Sequence, residues 1–391
     1  MSVAQGDAVA LARALVERDS RNPSLTPGAA GELEAAQFLG RVLRAWGLRV
    51  ELMEAAPGRP NVIARAGAAR PGCRTLMFNG HLDTVGVEGM VHAPFDPVVR
   101  EGCIFGRGSA DMKGGVAAMC AAAVRAADAG LAGEVIVAAV VDEEYRSAGT
   151  SALVAAGVTA DGAIVTEPTR LEIHPAHKGF SWITVRLRGR AAHGSRSDIG
   201  VDAIRHAGLL LTELDRLERE ELTTHRHPLL GHASLHAATV TGGTGWSTYP
   251  DQCTLTIERR TVPGEDSDGV MHEVRAACAA VRARVPSFDA EVEHVFSQAP
   301  SDVASDAAIV QALECALAAE GHAVVHAGMS AWTDAALLNA AGIPAILFGP
   351  GDIARAHAAE EFVEVEEVEQ ATAILTRLAL EWCSDTPGAT V

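Results

Sequence analysis

The 391-residue chain lacks features that would assign it to several common classes of protein. No apolar stretch approaches the ~18 residues that a transmembrane helix needs, so we predict no membrane span and no membrane partner. The first residues, MSVAQGDAVALARALVERD, suit an amphipathic helix and lack the basic start and apolar core of a secretory signal. We therefore expect a cytoplasmic protein.

Basic residues are also scarce. Lysine and arginine together number 32 against 50 aspartates and glutamates, which gives a net charge of −18. A strongly negative protein repels phosphate backbones and anionic lipid surfaces. The composition therefore argues against nucleic acid as a partner.

Paired cysteine motifs and two common hydrolase signatures are missing as well. The seven cysteines show no CxxC spacing, which favours reduced core thiols over a disulfide framework. GxSxG and HExxH do not occur, so the serine-hydrolase and zincin classes lack their residues. The segment GRGSAD opens like a dinucleotide-binding loop, but Asp111 stands where the last glycine belongs and would repel a pyrophosphate.

The length and the pattern of elements predict two domains. A chain of 391 residues exceeds the size at which one hydrophobic core usually stops growing. Strand-like runs alternate with Ala-rich helices up to about residue 167, which is typical of an α/β fold with a mostly parallel sheet flanked by helices. Residues 180–295 instead suggest a smaller inserted α+β domain, with two strands and two helices in alternation. We therefore predict one domain formed by residues 1–179 and 296–391, and a second at 180–295.

Residues able to bind a divalent metal follow short apolar runs in the predicted first domain. The runs are Thr75 to Phe78, Cys103 to Phe105, Glu134 to Val141, Ala163 to Val165 and Ile343 to Phe348, and the residues that follow them are His81, Asp111, Glu144, Glu167 and His357. Most of these runs have the character of buried parallel strands. Ligands in open α/β sheets gather beyond the carboxyl ends of such strands, so we expect the five side chains to converge.

Three carboxylates and two imidazoles suit zinc, cobalt or manganese. One carboxylate shared between two ions would let five residues hold a pair of metals. Two ions roughly 3.5 to 4 Å apart can share a hydroxide and stabilise the oxyanion that its attack produces. Glu143 precedes Glu144 and points in a different direction at the strand end, so it stays free to carry protons. Such a site suits hydrolysis.

Seven segments resemble the ordered motifs of the M20 metallopeptidase family. They are FNGHLDTV (78–85), GRGSADMKGG (106–115), VDEEYRSAGT (141–150), VTEPT (165–169), HKG (177–179), GRAAHGS (189–195) and AHAAEEFVEV (356–365). The family includes acetylornithine deacetylase, succinyl-diaminopimelate desuccinylase, carboxypeptidase G2 and aminoacylase-1. A single motif would be weak evidence, but seven in the family's order are specific.

The resemblance implies a role for each matching residue. His81 and Glu167 would bind one metal ion, and Glu144 and His357 would bind the other. Asp111 would bridge the two ions. Glu143 would be the general acid and base. Asp83, two residues after the first histidine, would orient that imidazole, as metal-bound histidines generally require.

In this family the inserted domain is a lid that also mediates dimerisation. The resemblance therefore implies a homodimer formed through residues 180–295. His193 would reach the active site of the partner subunit and stabilise the oxyanion there. Dimerisation would then be part of catalysis.

The resemblance implies that Arg260 binds the substrate, since its guanidinium suits the carboxylate beside the scissile amide. The family usually has Asn six places into a motif that starts Gly-Gly, but here Ser247 occupies that position. A serine reaches less far, so we expect an altered substrate contact. Trp246 and Tyr249 flank it and suit either an apolar substrate pocket or packing within the lid. The loop 328–335 resembles a substrate-contacting loop of the family.

We therefore predict a two-metal amidohydrolase that removes an N-acyl group from a small N-acyl amino acid or a related amine. Zinc is the expected metal, with cobalt and manganese as alternatives. A metallo-exopeptidase that acts on dipeptides or C-terminal residues remains an alternative within the same chemistry. A metal- and ligand-binding homologue without turnover is a third hypothesis, which the presence of Glu143 beside a complete ligand set disfavours.

Overall fold

The computed structural model describes residues 3–384 and divides the chain into two compact units. The first unit combines Met1–Pro175, Val303–Ala327 and Thr333–Val391, and the second combines Ala176–Asp302 and Gly328–Trp332. The ends of the predicted first domain, residues 1–2 and 385–391, lie outside the described residues. No helix among residues 3–384 has the length and apolar character needed to cross a membrane.

The described residues form the following helices and strands. The helices are α1 (Ala8–Val16), α2 (Leu33–Ala45), α3 (Gly114–Asp128), α4 (Ala148–Ala155), α5 (Ala203–Leu217), α6 (Ser267–Arg284), α7 (Ala308–Ala319), α8 (Ala335–Ala340) and α9 (Val365–Trp382). The strands are β1 (Arg49–Ala56), β2 (Arg59–Gly67), β3 (Thr75–His81), β4 (Val99–Arg100), β5 (Cys103–Phe105), β6 (Glu134–Val140), β7 (Gly162–Val165), β8 (Ile173–His177), β9 (Gly179–Arg188), β10 (Arg226–His227), β11 (Gly231–His232), β12 (Ser234–Gly242), β13 (Gln252–Thr261), β14 (Asp289–Gln298), β15 (Ser301–Asp302), β16 (His326–Met329), β17 (Ala345–Leu347) and β18 (Phe362–Glu364). Short helical turns of other types are Ser109–Lys113, Glu218–Leu222 and Ile353–Arg355.

The central sheet of the first unit has the strand order β1-β2-β6-β3-β7-β17-β8. The four middle strands, β6, β3, β7 and β17, pair in parallel, whereas β1, β2 and β8 pair antiparallel with their neighbours. All seven residues of β6 are buried, as expected for a parallel strand covered on both faces by helices. The predicted α/β class is confirmed.

One of the five apolar runs differs from its predicted role. Cys103–Phe105 forms β5 of a small separate sheet, where it pairs antiparallel with β4 and β18. The run is short, and Gly102 and Gly106 on either side have φ angles of 76° and 150° that turn the chain away. Only the middle residue of the three is fully buried. Asp111 therefore reaches the sheet through the turn Ser109–Lys113 rather than from the end of a central strand.

The second unit contains a four-stranded antiparallel sheet of order β12-β13-β9-β14. Residues of β13 alternate between buried and less buried positions, and the buried ones join a core with α5 and α6. The sequence predicted β9, β13 and both helices of this unit but overlooked β12 and β14. Both are edge strands. β12 ends in seven exposed residues in succession and has no alternation, whereas β14 alternates between exposed and half-buried positions only over residues 289–293 and has no fully buried residue.

A glycine in the first turn of α3 allows the helix to approach the sheet. A Cβ atom on Gly115 would lie 2.0 Å from the carbonyl oxygen of Thr166, the residue before Glu167. Only a residue without a side chain fits this contact. The helix and the end of β7 can therefore pack backbone against backbone next to a predicted metal ligand.

We predict that Gly115→Ala lowers the free energy of unfolding by about 2 kcal/mol or more, because the added methyl group overlaps the main chain. Gly208→Ala provides the matched control, since a Cβ atom at that position in α5 meets no atom within 4 Å. The control should be neutral or stabilise the protein by up to about 1 kcal/mol. Urea unfolding of the three proteins measures the difference. Equal stability of Gly115→Ala and the wild type would contradict the proposed contact.

Candidate metal centre

All the predicted metal ligands lie in the first unit, at or just beyond the ends of its elements. His81 ends β3, Asp111 lies in the turn before α3, Glu144 follows β6, Glu167 follows β7, and His357 follows the short turn Ile353–Arg355. The parallel strands β3, β6 and β7 end at one edge of the sheet and bring three of these positions together. The loops supply the other two.

The carboxylate of Asp111 lies between two imidazoles. Its Oδ1 is 3.0 Å from Nε2 of His81, and its Oδ2 is 3.5 Å from Nε2 of His357. The same nitrogen of His357 is 3.0 Å from Oε2 of Glu144. Each oxygen of Asp111 therefore faces a different histidine, which is the arrangement that a carboxylate shared by two cations requires.

Two groups of potential ligands share the His81 ring. The ligand atoms of His81, Asp111 and Glu144 lie within 4.8 Å of one another, and so do those of His81, Glu143 and Glu167. Oε2 of Glu143 is 3.9 Å from Nε2 of His81. The donor set of nitrogen and oxygen atoms, with no thiolate, suits a divalent ion such as zinc.

Burial and crowding of like charges shift the pKa values of these groups. Burial raises the pKa of Glu143 well above its usual range, and the negative charge of Glu167 adds to the effect. The pKa of Glu167 is raised well above its usual range by burial and by nearby Asp111. Hydrogen bonds to Asp111 and Glu144 raise the pKa of His357 to about 10. Without bound metal, these groups therefore favour their protonated forms, and the protons take the place of the positive charge that metal ions would supply.

Asp83 contacts the histidine through its main chain. Its carbonyl oxygen is 2.9 Å from Nδ1 of His81, whereas its Oδ1 is 3.7 Å from that nitrogen. The two carboxylate oxygens accept hydrogen bonds from the backbone N–H groups of Glu143 and Glu144, each at 3.1 Å. The residue thus orients the imidazole with its carbonyl and holds the acidic segment with its side chain.

A buried polar network that sequence reasoning missed supports Asp83. The amide of Asn22 donates to Oδ2 of Asp83 at 2.8 Å and to Oδ1 of Asp142 at 3.1 Å. Arg59 donates to Asp142 at 2.8 Å and also pairs with Glu32. Asp142 has a φ angle of 68°, which a residue with a side chain seldom adopts. No local pattern predicts this network, because its members come from separate segments of the chain.

The loop predicted to contact substrate contains a buried aspartate. Thr150 donates a hydrogen bond of 2.6 Å to Oδ2 of Asp334, and Asn79 donates to the Thr150 hydroxyl at 3.1 Å. Burial raises the pKa of Asp334 to about 6. Within the first unit this side chain therefore anchors the loop to α4.

Two of the predicted lid residues lie together in the second unit. His193 is exposed, and its Nδ1 is 2.8 Å from the hydroxyl of Ser195. The N–H of Gly194 donates to the carbonyl oxygen of Ser247 at 2.8 Å, and Ser247 is also exposed. The two predicted functional side chains thus occupy adjoining, accessible loops of this unit.

Arg260 lies elsewhere in the second unit, near the end of β13. Its Nε donates to Oε1 of Glu258 at 2.6 Å, and its guanidinium carbon is 5.5 Å from the centre of the Phe180 ring. Oε2 of Glu258 accepts a hydrogen bond of 2.9 Å from Trp182. The acidic partner and the aromatic ring fix the direction of the guanidinium.

The two aromatic residues that flank Ser247 have different environments. The side chain of Trp246 is fully exposed. The ring of Tyr249 packs against Gly200, where a Cβ atom would lie 2.5 Å from the ring. Tyr249 therefore packs within the unit, whereas Trp246 is available at its surface.

Comparison with known proteins identifies the family of this chain. The family model described as Peptidase family M20/M25/M40 matches residues 77–381. The chain belongs to this family. It is 32% identical to an N-formyl-4-amino-5-aminomethyl-2-methylpyrimidine deformylase of Halalkalibacterium halodurans, over 95% of this chain and 94% of the relative. It is 30% identical to an acetylornithine deacetylase of Myxococcus xanthus, over 85% of this chain and 86% of the relative.

Solved structures share the fold. A metallo-carboxypeptidase of the M20 family from Sulfolobus solfataricus superposes with a TM-score of 0.81 at 17% identity, over 96% of this chain and 99% of that one. A Bacillus subtilis protein described as a dinuclear metal-binding peptidase of the M20 family gives a TM-score of 0.73 at 18% identity, over 97% of this chain and 98% of that one. The predicted family is confirmed, and the chain is a hydrolase of amide bonds.

We predict that metal binding releases at least one proton per protein at about pH 7. His357, with its pKa raised to about 10, is protonated at this pH in the metal-free protein, but only a neutral imidazole binds a metal. The apparent affinity should therefore rise with pH until the pH passes about 10. Calorimetric titration with zinc in buffers of different ionisation enthalpy measures the proton count. Heats that are independent of the buffer would contradict the prediction.

Proposed function

We propose that this amide hydrolase removes a short N-acyl group, such as formyl or acetyl, from an amino acid or a related amine. The observation that carries the proposal is the placement of Asp111 between two imidazoles with the free carboxylate of Glu143 beside them. Two curated relatives that cover most of the chain are described as a deformylase and a deacetylase, which supports short acyl groups.

The proposed cofactor is a pair of divalent ions, with zinc expected and cobalt or manganese as alternatives. One ion would be bound by His81 and Glu167, the other by Glu144 and His357, and Asp111 would bridge them. When bound, the ions supply positive charge that acidifies a water molecule and stabilises the charge that develops on the amide oxygen. Their binding would also relieve the repulsion among the buried carboxylates.

Glu143 is the proposed general acid and base. Its carboxylate lies beside the His81 ring, and burial raises its pKa well above the usual range. A carboxylate with a raised pKa can take the proton of the attacking water and then donate it to the leaving nitrogen. Asp83 supports this step indirectly. Its carboxylate accepts a hydrogen bond from the backbone N–H of Glu143 and so fixes the backbone position of that residue.

We also propose a homodimer formed through residues 180–295, with this unit acting as a lid. β12 supports the proposal, because it is an edge strand of its sheet with a long exposed stretch that includes Val240. Such an edge can pair with another chain. His193 is exposed on the same unit and would donate a hydrogen bond to the oxyanion in the partner subunit's active site.

Substrate recognition is proposed for Arg260 and Ser247. Glu258 engages the Nε of Arg260, so the terminal N–H groups of the guanidinium are left to meet a substrate carboxylate in a bidentate contact. The exposed hydroxyl of Ser247 offers one hydrogen bond in place of an amide. The cytoplasmic location stays a prediction.

A substrate panel tests the proposed reaction. It contains N-formyl and N-acetyl amines and amino acids beside dipeptides of the same amino acid, with zinc, cobalt or manganese added and a chelator as the control. We expect release of free amine from the short N-acyl compounds, lost with chelator and restored by metal. Preferential cleavage of dipeptides would support the exopeptidase alternative. No turnover by protein that holds two ions would contradict the proposal.

Mixing two inactive variants tests the shared active site. Glu143→Gln and His193→Ala should each lower turnover by at least about 100-fold. After subunit exchange, one site in each mixed dimer combines an intact Glu143 with an intact His193 from its neighbour. We expect about a quarter of the wild-type activity to return.

The control for this experiment replaces Glu143→Gln with a chain that carries both substitutions. That mixture cannot rebuild a complete site and should stay inactive. Absence of recovery in the first mixture, in a protein that sedimentation shows to be dimeric and exchanging, would mean that His193 does not act across the interface.

A further inference from the structure

A buried ion pair lies close to the candidate metal centre, yet neither of its members is a predicted ligand. Nη1 of Arg107 is 2.6 Å from Oε2 of Glu361, and the two side chains are only 3% and 1% exposed. Charged side chains are rarely buried so fully unless they are paired, and removing one partner of such a pair leaves the other charge uncompensated. The pair is called here the Arg107–Glu361 clamp.

The clamp connects three segments that carry predicted ligands. Oε1 of Glu361 accepts hydrogen bonds from the backbone N–H groups of Ala110 and Asp111, at 3.0 and 3.1 Å. Glu361 itself follows His357 by four residues. Nε of Arg107 donates to the carbonyl oxygen of Gly86 at 2.8 Å, in the loop that continues from β3. One pair of side chains thus ties together the turn with Asp111, the loop with His357 and the segment beyond His81.

The backbone at Asp111 depends on such external support. Its φ and ψ angles of −121° and 93° are not helical, although the turn Ser109–Lys113 leads into α3. The N–H of this residue donates to the side chain of Glu361. The direction of the bridging carboxylate therefore follows the position of the Glu361 side chain.

We propose that Arg107 and Glu361 are positioning residues that set the separation of Asp111 and His357, so that metal affinity depends on them although neither touches an ion. This inference rests on the proposed two-metal centre. Groups that hold metal ligands in place typically change metal affinity by about 10- to 100-fold when they are lost. A merely structural ion pair would affect stability alone.

Another buried carboxylate that pairs with arginine offers a comparison. Glu134 is 6% exposed and binds two guanidiniums, at 2.9 Å to Arg49 and 2.7 Å to Arg65. It begins β6, whereas the acidic segment with Glu144 follows the other end of that strand, about 20 Å away. Glu134→Gln therefore weakens the ion pairs of a buried carboxylate far from the ligands, although its partners Arg49 and Arg65 are more exposed than Arg107.

The test compares zinc binding by the wild type, Glu361→Gln and Glu134→Gln, by competition with a chromophoric chelator, with thermal unfolding recorded separately. We expect Glu361→Gln to bind the more weakly held of two zinc ions about 10- to 100-fold less tightly. Glu134→Gln should unfold at a lower temperature than the wild type but keep its zinc affinity within about twofold.

A second pair of variants keeps the test decisive if Glu361→Gln does not fold. Arg107→Lys retains a charge that can reach Glu361, whereas Arg107→Met does not, so zinc affinity should fall further in the methionine variant. Wild-type affinity in every clamp variant, or an equal loss in Glu134→Gln, would overturn the proposal. If the wild type itself bound fewer than two zinc ions, that result would contradict both the two-metal centre and the proposed role of the clamp.

Discussion

Electrostatic repulsion around Asp111 is the constraint on which the rest of the structure depends. The site packs several carboxylates and two imidazoles close together, with ligand atoms of His81, Asp111 and Glu144 within 4.8 Å of one another, in a part of the molecule where burial opposes ionisation. Such a cluster is stable only if protons or cations compensate the negative charge. The raised pKa of His357, at about 10, shows the first kind of compensation, and a pair of divalent ions would provide the second.

The fold brings these groups together by two means. Parallel strands β3, β6 and β7 end at the same edge of the sheet, so the residues that follow them are neighbours however far apart they are in sequence. Buried side chains then fix the loops, as Asp83 does when it accepts the N–H groups of Glu143 and Glu144. The close contact at Gly115 belongs to the same arrangement, because it lets α3 approach the strand that leads to Glu167.

Local sequence patterns could predict elements with a recognisable hydrophobic pattern, such as the buried run of β6 and the alternation of β13. They could also predict that His81 and Asp111 converge, because both residues lie in ordered motifs. The edge strand β12 has seven exposed residues in succession and therefore no period. Asn22 and Glu361 are polar residues in loops, and their partners are as much as 254 positions away, so only the folded chain reveals what they contact.

We propose that the two oxygens of Asp111 bind two different metal ions. A crystal structure of the zinc-loaded protein, with anomalous scattering recorded above and below the zinc absorption edge, tests it most directly. We expect two anomalous peaks roughly 3.5 to 4 Å apart, one on the side of His81 and the other on the side of His357, with Asp111 bound to both. A single fully occupied peak, with one oxygen of Asp111 unbound in protein saturated with zinc, would contradict it.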